Sequence, residues 1–218
     1  MDSNQIKQTM ETTVAARGSL APEMPAFPIF IKDNFFSDED ESLIWDGLNK
    51  IHELDLFLPP EKTGGAFIDD DQLLKKNDGY FLITEQIPDT KIKCLHDTLY
   101  KVFQGTTYEY AATNVWTQSI LNTTRTSFLV SYYEDGDYYN PHKDTSMFTV
   151  LIWFYKEPKK FSGGNLFLHD LEHEVEVKNN RLIIIPGRAL HSVSPVLLSE
   201  ENQNQRNGRY CLSLFLLD

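Results

Sequence analysis

The chain, from about residue 126 onward, is a succession of short segments rich in β-branched and aromatic residues. Turn-forming Gly, Pro, Asn and Asp residues separate these segments, and a chain with this pattern folds into a β-sandwich or a barrel. Strand-type residues already dominate from Tyr108. We therefore predict strands near residues 112–121, 126–134, 147–155, 164–168, 173–177, 181–185, 190–196 and 208–217.

The preceding part of the chain predicts two helices that pack against these strands. Apolar residues repeat at helical spacing over about 38–54, behind Ser37, an N-cap residue that acidic residues follow. A second helix is predicted to begin at Asp89 or Thr90 and to be closed by Gly105. Both helices are interpreted as supports for the core.

The predicted organisation is one domain with a tail. Residues 1–24 are polar and predict a flexible N-terminal tail. Residues 25–218 are predicted to form a single domain, with a helical and strand support region at 25–125 and the β-core at 126–218. A short strand is predicted at Phe27–Ile31.

Composition restricts the partners and the compartment. The net charge of −12 argues against nucleic acid as a partner, because phosphate binding needs a basic surface, and against anionic membranes. Two cysteines provide no disulfide framework, and the first residues lack the apolar stretch of a signal peptide. We expect a cytoplasmic protein. The oligomeric state is left open.

The pair His142 and Asp144, followed much later by His191, predicts a metal site. Side chains at i and i+2 share one face of a strand, so His142 and Asp144 can reach the same ion, and His191 comes from another strand. Two imidazoles and one carboxylate suit non-heme Fe(II), because they leave coordination positions open. The other histidines have weaker contexts and are interpreted as structural or surface residues: His52, His96, His169 and His173.

Five ordered segments, from about Ser127 to the end, resemble the 2-oxoglutarate- and Fe(II)-dependent dioxygenases, in particular the prolyl 4-hydroxylase-like branch. Together they cover roughly two-fifths of the chain, and their order makes the resemblance more specific than any one of them. They are Tyr133–Asp144 with its His-x-Asp, the apolar strand Met147–Tyr155, the Gly-Gly turn at Ser162–Leu166, Arg181–Val196 with the second histidine, and Gly208–Ser213 with an arginine.

The resemblance implies a double-stranded β-helix core of the jelly-roll or cupin-like type, with flanking helices. It implies Fe(II) held by His142, Asp144 and His191, with 2-oxoglutarate as co-substrate, O₂ as oxidant and ascorbate as reductant. The reaction would be hydroxylation of an unactivated C–H bond coupled to conversion of 2-oxoglutarate to succinate. The carboxylate at Asp144 favours hydroxylation over halogenation, for which related enzymes have Gly or Ala there.

The resemblance also implies a site for the distal carboxylate of 2-oxoglutarate. We predict that Arg209 binds it, because strand alternation places Arg209 on one face with Cys211 and Ser213. Ser213 is a second contact by family position, and Tyr133 is expected to line the pocket. Arg206 lies in a polar segment, 200–207, that is predicted to be a mobile surface loop.

Three function classes remain open from the sequence. The first is hydroxylation of a prolyl residue in a peptide or protein, which is the preferred interpretation. The second is hydroxylation of a free amino acid or another small molecule. The third is a non-enzymatic, cupin-like metal-binding module, against which the intact ligand set and Arg209 argue. Tyr139, Lys143 and Trp153 could contact substrate but are interpreted as packing or surface residues.

Overall fold

The computed structural model describes residues 28–64 and 73–218. Within these ranges there are three α-helices, which are α1 (Asp38–Glu53), α2 (Thr90–Leu99) and α3 (Thr106–Ala111). The strands are β1 (Phe30–Lys32), β2 (Lys75–Lys76), β3 (Asp78–Phe81), β4 (Arg125–Tyr133), β5 (Tyr138–His142), β6 (Phe148–Phe154), β7 (Phe161–Gly163), β8 (Leu166–Leu168), β9 (His173–Val175), β10 (Arg181–Pro186), β11 (His191–Val193), β12 (Val196–Leu198) and β13 (Arg209–Leu217).

Antiparallel sheets form the body of the molecule. The larger sheet has the strand order β1-β10-β6-β13-β4-β3, and the smaller has the order β2-β5-β11-β8-β9. A two-stranded sheet joins β7 and β12. The larger sheet and the smaller sheet enclose one apolar cluster between them, which includes Leu151, Trp153, Leu166 and Val193.

Strand β13 shows how alternation divides the interior. Tyr210, Leu212, Leu214 and Leu216 are buried in the cluster that the larger sheet shares with the helices, whose members include Ile44, Leu48 and Ile92. The intervening residues Arg209, Cys211 and Ser213 point between the sheets and are also buried. The predicted orientation of this strand is therefore present in the structure.

The two predicted helices, α1 and α2, begin where the sequence predicts. Ser37 Oγ accepts a hydrogen bond from the Asp40 amide, and the acidic first turn of α1 suits the positive end of the helix dipole. The Asp89 carboxylate accepts from the Lys91 amide and caps α2. The chain continues from α2 as a 3₁₀ turn to Phe103, just before Gly105. No helix among the described residues is both long and apolar enough to cross a bilayer.

The predicted strand at 112–121 is wrong. The segment forms a turn and a 3₁₀ helix at Thr117–Asn122, and α3 precedes it at Thr106–Ala111. Asn114 Oδ1 accepts hydrogen bonds from the amides of Trp116 and Thr117, and such local bonds replace the ladder of a strand. Two of its β-type side chains, Val115 and Trp116, are 69% and 70% exposed, so the segment does not have the buried face of a strand in a sheet.

Other differences concern the ends of strands. The segment predicted as 190–196 is two strands, β11 and β12, which belong to different sheets. Strands β2, β3, β5 and β7 are not predicted, because they are short and carry no clear alternation of apolar residues. Residues 1–24 and Phe27 lie outside the described residues, so the predicted tail and the first residue of the predicted strand Phe27–Ile31 do too.

The segment 200–207 is held to the rest of the fold by hydrogen bonds. Gln203 Nε2 donates to Asp135 Oδ2 at 2.9 Å, and the Asn204 amide donates to Glu134 Oε1 at 3.2 Å. It contains a short 3₁₀ turn at Glu200–Asn202. These contacts tie the segment to the turn that follows β4.

Candidate active site

Three potential ligands converge at one end of the space between the sheets. One ligand atom from each of His142, Asp144 and His191 lies within 4.8 Å of the others. His142 and His191 are direct partners across the β5–β11 ladder, which explains how a residue 49 positions later reaches the same point. The structure therefore brings together the three residues that the sequence singled out.

Asp144 reaches the cluster by a different route from the one predicted. His142 is the last residue of β5, and Asp144 lies in the loop beyond it, so the two do not share the face of one strand. The Asp144 amide donates to the carbonyl of Gly187 at 2.8 Å, and the Gly187 amide donates to the carbonyl of Met147 at 2.9 Å. A Cβ at Gly187 would lie 2.1 Å from Ser146 O, so this close approach requires glycine.

Hydrogen bonds fix the orientation of both imidazoles. His142 Nδ1 lies 2.8 Å from the Asn140 carbonyl, and His191 Nδ1 lies 2.9 Å from the Ala189 carbonyl. A carbonyl oxygen only accepts, so each Nδ1 carries the proton and donates it. In the neutral ring each Nε2 then has a free lone pair, as a metal ligand must.

The Nε2 atoms and the carboxylate form a set of acceptors that face one another. His142 Nε2 lies 3.8 Å from Asp144 Oδ1, and His191 Nε2 lies 3.7 Å from Asp144 Oδ2. Burial lowers the pKa of His142 to about 3, and the neighbouring His191 adds to the effect, so His142 is neutral at physiological pH. Facing acceptors without a proton between them need a cation, and this donor set fits Fe(II).

A hydrogen bond from Thr149 holds the carboxylate of Asp144. The Thr149 hydroxyl donates to Asp144 Oδ2 at 2.5 Å and also lies 2.9 Å from Ser146 Oγ. Thr149 is fully buried on β6, opposite Phe215 of β13. The carboxylate is thereby held by the larger sheet, while the imidazoles come from the smaller sheet. Sequence reasoning missed this residue, because no local pattern signals such a contact.

A cavity of about 530 Å³ extends from the three ligands into the space between the sheets. This volume is typical of small-molecule sites. Leu151, Leu166 and Val193 line it, and Arg209 and Tyr133 line it as well. The cavity therefore offers a ligand apolar walls between a metal site and a cationic group.

Arg209 is a buried cation without a counter-ion in the described part of the chain. The side chain has no exposed surface, and none of its three guanidinium nitrogens has a hydrogen-bond partner among the described residues. It lies over the rings of Tyr133 and Trp153, with its Cζ atom 4.7 and 5.5 Å from the ring centres. Aromatic contacts do not replace hydrogen bonds, so the group is arranged for an anionic ligand. Arg206 does not line this cavity.

Tyr133 and Ser213 also line the cavity, as predicted for cofactor-binding residues. Burial raises the pKa of Tyr133, so its hydroxyl stays protonated and can donate a hydrogen bond. Ser213 Oγ lies 3.6 Å from Cys211 Sγ. Cys211 lies between Arg209 and Ser213 on the same face of β13. Along this face, Cys211 is therefore closer to Arg209 than Ser213 is.

Two residues that line the cavity carry little or no signal in the sequence that they belong to a site. Tyr139 was interpreted as a packing residue, but its ring stacks on His142 with 3.5 Å between centres and 10° between planes. The ladder is irregular between His191 and Val193, and this bulge lets Tyr139 and His142 reach the same side. Lys75 has no sequence pattern that predicts a functional role, although it is 2% exposed and lines the cavity.

The remaining predicted alternatives lie elsewhere. His169 and His173 flank the turn between β8 and β9, where His169 Nε2 lies 2.9 Å from Ser192 Oγ. His52 and His96 lie in α1 and α2, and none of these four residues joins a ligand cluster within the described ranges. Lys143 is an exposed residue that lines the cavity, and Trp153 is buried.

Comparisons with known proteins agree with this geometry. Residues 128–216 match the model of the 2OG-Fe(II) oxygenase superfamily. A PKHD-type hydroxylase of Herminiimonas arsenicoxydans is 33% identical over 82 residues, which are 31% of this chain and 36% of that protein. An uncharacterized PKHD-type hydroxylase of Synechocystis sp. is 35% identical over 71 residues, which are 29% of this chain and 22% of that protein. The chain thus matches about a third or less of these relatives' lengths.

Solved structures show the same fold. A prolyl hydroxylase from Trichoplax adhaerens, in complex with a peptide fragment of the hypoxia inducible factor oxygen degradation domain, superposes with a TM-score of 0.61 at 13% identity, covering 100% of this chain and 94% of that one. A Pseudomonas putida prolyl-4-hydroxylase gives 0.54 at 15% identity, covering 88% and 93%. The predicted double-stranded β-helix with flanking helices is confirmed. Residues 128–216 of this chain are thus similar to the 2OG-Fe(II) oxygenase superfamily, and the fold agrees with that similarity.

Proposed function

We propose that this protein is an Fe(II)- and 2-oxoglutarate-dependent dioxygenase that hydroxylates an unactivated C–H bond. The observation that carries the proposal is the lining of one cavity. It contains three facing metal-ligand atoms, apolar side chains, and a buried guanidinium that has no hydrogen-bond partner in the described part of the chain. A metal alone would not explain Arg209, and an anion site alone would not explain the facing acceptors. A dianionic co-substrate that also ligates the metal accounts for both.

Each residue has a defined part in this proposal. His142, Asp144 and His191 hold Fe(II), through the two Nε2 atoms and the carboxylate. Arg209 binds the distal carboxylate of 2-oxoglutarate, with Tyr133 donating a hydrogen bond and Ser213 as a further contact. When bound, the iron supplies O₂ activation coupled to the conversion of 2-oxoglutarate to succinate and CO₂. Ascorbate keeps the metal in its ferrous state.

The protein itself contributes orientation and exclusion of water. Leu151, Leu166 and Val193 are buried apolar side chains that line the cavity and would pack against the carbon chain of 2-oxoglutarate. An apolar lining that excludes water strengthens the attraction between Arg209 and a carboxylate, because little water screens the two charges. The distance between the metal site and Arg209 then selects a co-substrate of the right length.

The substrate that we propose is a prolyl residue of a peptide or protein. This choice is supported by the names of the relatives, which are PKHD-type hydroxylases, and of the solved structures, which are prolyl hydroxylases. A free amino acid is the second candidate, favoured by the enclosed cation Lys75 in the cavity wall. The region before residue 126 belongs to the same domain in this proposal, because β1 and β3 complete the larger sheet and β2 the smaller.

The test is a coupled assay with two independent measurements. The Fe(II)-loaded protein is incubated with 2-oxoglutarate, ascorbate and O₂, together with a set of proline peptides and free amino acids. Succinate is quantified, and each candidate is examined by mass spectrometry for a gain of one oxygen. We expect slow succinate formation without substrate and faster formation with it. An iron-loaded protein that produces no succinate under any condition would instead be a non-enzymatic metal-binding module.

A further inference from the structure

The charged residues that line the cavity are mostly cationic, although the chain is acidic. Among the described residues, Lys75, Lys143 and Arg209 line it together with a single carboxylate, Asp144, whereas the whole chain has a net charge of −12. Lys143 is exposed at the edge of the cavity, and Arg209 is assigned above to 2-oxoglutarate. Lys75 is thus a second buried cation, and the co-substrate pocket does not account for it.

The ammonium group of Lys75 is poorly satisfied by the described residues. Among the described residues its one hydrogen-bond partner is the carbonyl of Thr63, at 3.4 Å, and no carboxylate in these ranges lies within ion-pair distance. An ammonium carries three donor hydrogens, and burying it without an anion costs free energy. Lys75 is only 2% exposed, so bulk water does not replace the absent partners.

The position of Lys75 places this cation beside the metal ligands. Lys75 pairs with Tyr139 across the β2–β5 ladder, and its Nζ atom lies 5.5 Å from the centre of the Tyr139 ring. The same ring stacks on His142. The positive charge of Lys75 also contributes to the low pKa of His142, whereas Arg209 lies over Tyr133. The two buried cations therefore serve different parts of the cavity.

The neighbouring residue shows that this burial is specific to position 75. Lys76 points to the other side of β2, is exposed, and forms an ion pair with Asp137 at 3.2 Å. Two consecutive lysines thus have opposite environments: Lys76 forms an ion pair at the surface, and Lys75 lies in the cavity without a carboxylate partner among the described residues. Lys76 provides a matched control for any change of charge at Lys75.

We propose that Lys75 binds a carboxylate of the substrate, so that the enzyme selects molecules with a free carboxylate close to the oxidised carbon. This inference rests on the proposed function and narrows its substrate class to a peptide that ends in proline or to a free amino acid. An internal prolyl residue has no such carboxylate and would leave Lys75 without a partner. Lys75 is then a specificity-determining residue rather than a metal or co-substrate ligand.

The experiment measures binding without turnover. The protein is loaded with Mn(II) and saturating 2-oxoglutarate under anaerobic conditions. The calorimetric titrants are the twenty free amino acids and dipeptides ending in proline, each compared with its carboxamide, and a capped peptide with an internal proline. In the wild type we expect at least one acid to bind about tenfold or more tightly than its amide, as for one charge-assisted hydrogen bond. The free amino acids and the dipeptides distinguish the two sources of the carboxylate.

The variants locate the effect. In Lys75→Met the preference for acid over amide should fall to within about twofold, whereas Lys76→Met should keep the preference of the wild type. Lys75→Arg, which retains the charge, should keep most of it, and thermal unfolding verifies that each variant is folded. If Lys75→Met does not fold, the acid-to-amide ratio of the wild type and of Lys75→Arg still decides the question.

Three results would overturn the inference. They are equal binding of acid and amide by the wild type, no binding of any acid, or a weaker affinity for 2-oxoglutarate as the main effect of Lys75→Met. The last result would assign Lys75 to the co-substrate. Failure of the proposed function would be seen in a separate assay, as the absence of succinate from the iron-loaded protein. The Mn(II) titration measures substrate binding and gives its result whether or not succinate is formed.

Discussion

Arg209 and Tyr133 are direct partners on the neighbouring strands β13 and β4, and the guanidinium lies over the phenol ring at 4.7 Å. The pair occupies the interior because both residues have the same phase of alternation. Within the described ranges the arginine has no anionic partner, and burial raises the pKa of the tyrosine hydroxyl and so keeps it protonated. The pair therefore offers a positive charge and a hydrogen-bond donor to one ligand carboxylate.

Removal of the guanidinium should weaken the co-substrate without removing the metal. We expect Arg209→Ala to weaken 2-oxoglutarate binding by about 2–5 kcal/mol, the range for truncating one partner of a buried charge pair. Titration of 2-oxoglutarate into the anaerobic Fe(II) protein measures the change. The stoichiometry of Fe(II) should stay at one per chain, because Arg209 is not among the three clustered ligands.

Arg206 provides the control for this change. It lies outside the cavity lining, so Arg206→Ala should alter 2-oxoglutarate affinity by no more than about 0.5 kcal/mol, as at an ordinary surface position. A larger loss in Arg206→Ala than in Arg209→Ala would show that the 200–207 segment, and not β13, supplies the co-substrate arginine.

Loss of one imidazole should abolish the metal site. We expect the wild type to bind Fe(II) and to develop a visible charge-transfer band when 2-oxoglutarate is added without O₂. His142→Ala and His191→Ala should lose the band, because each removes one of three protein ligands. His173→Ala is the matched control, since His173 is exposed on β9 and is not among the three clustered ligands. Retention of the band in both ligand variants would refute the assignment.

His52 should make the stability of the metal-free protein depend on pH. Its Nε2 lies 2.8 Å from the Tyr210 hydroxyl, and burial, aided by the charges of Arg206 and Lys156, lowers its pKa to about 4. Between the ordinary histidine pKa of about 6.5 and pH 4 the unfolded state binds a proton that the folded state does not. The free energy of unfolding should therefore fall as the pH decreases through this window.

A variant separates His52 from the other histidines. His52→Gln can keep a hydrogen bond to Tyr210 but does not titrate, so its stability should fall less between about pH 7 and pH 5 than that of the wild type. Urea unfolding at the two pH values provides the comparison. Identical losses in both proteins would mean that the pH dependence arises elsewhere, for example at His142.

The parts of the fold that could be predicted are those with a local pattern. Strand β13 alternates polar and apolar residues, and this pattern alone assigns Arg209 and Cys211 to one face and Leu212 to the other. The segment 112–121 could not be predicted, because Asn114 and Thr117 bond locally to the backbone and override the β-propensity of their neighbours.

The residues of the site likewise include some that a local sequence pattern predicts and some that it does not. His142, Asp144 and His191 have a recognisable spacing, but the reason offered for that spacing was incomplete, since Asp144 lies beyond the strand. Lys75 and Thr149 carry no local signal. Lys75 is buried because β2 pairs with β5, and Thr149 meets Asp144 because β6 passes below the loop. Both contacts depend on pairings between distant segments, which one sequence does not specify.

Thr149 should tune the metal site through Asp144. Its hydroxyl donates to Asp144 Oδ2, one of the two carboxylate oxygens that face the histidines. Thr149→Val keeps the shape of the side chain and removes the donor, so the carboxylate loses its anchor while the three ligands remain. We expect metal affinity to fall by about 10- to 100-fold, as for other residues that orient ligands. Competitive chelation of Fe(II) measures the change. Thr145→Val, an exposed change at the edge of the same cavity, should have little effect, and equal affinities in Thr149→Val and wild type would mean that the loop alone positions Asp144.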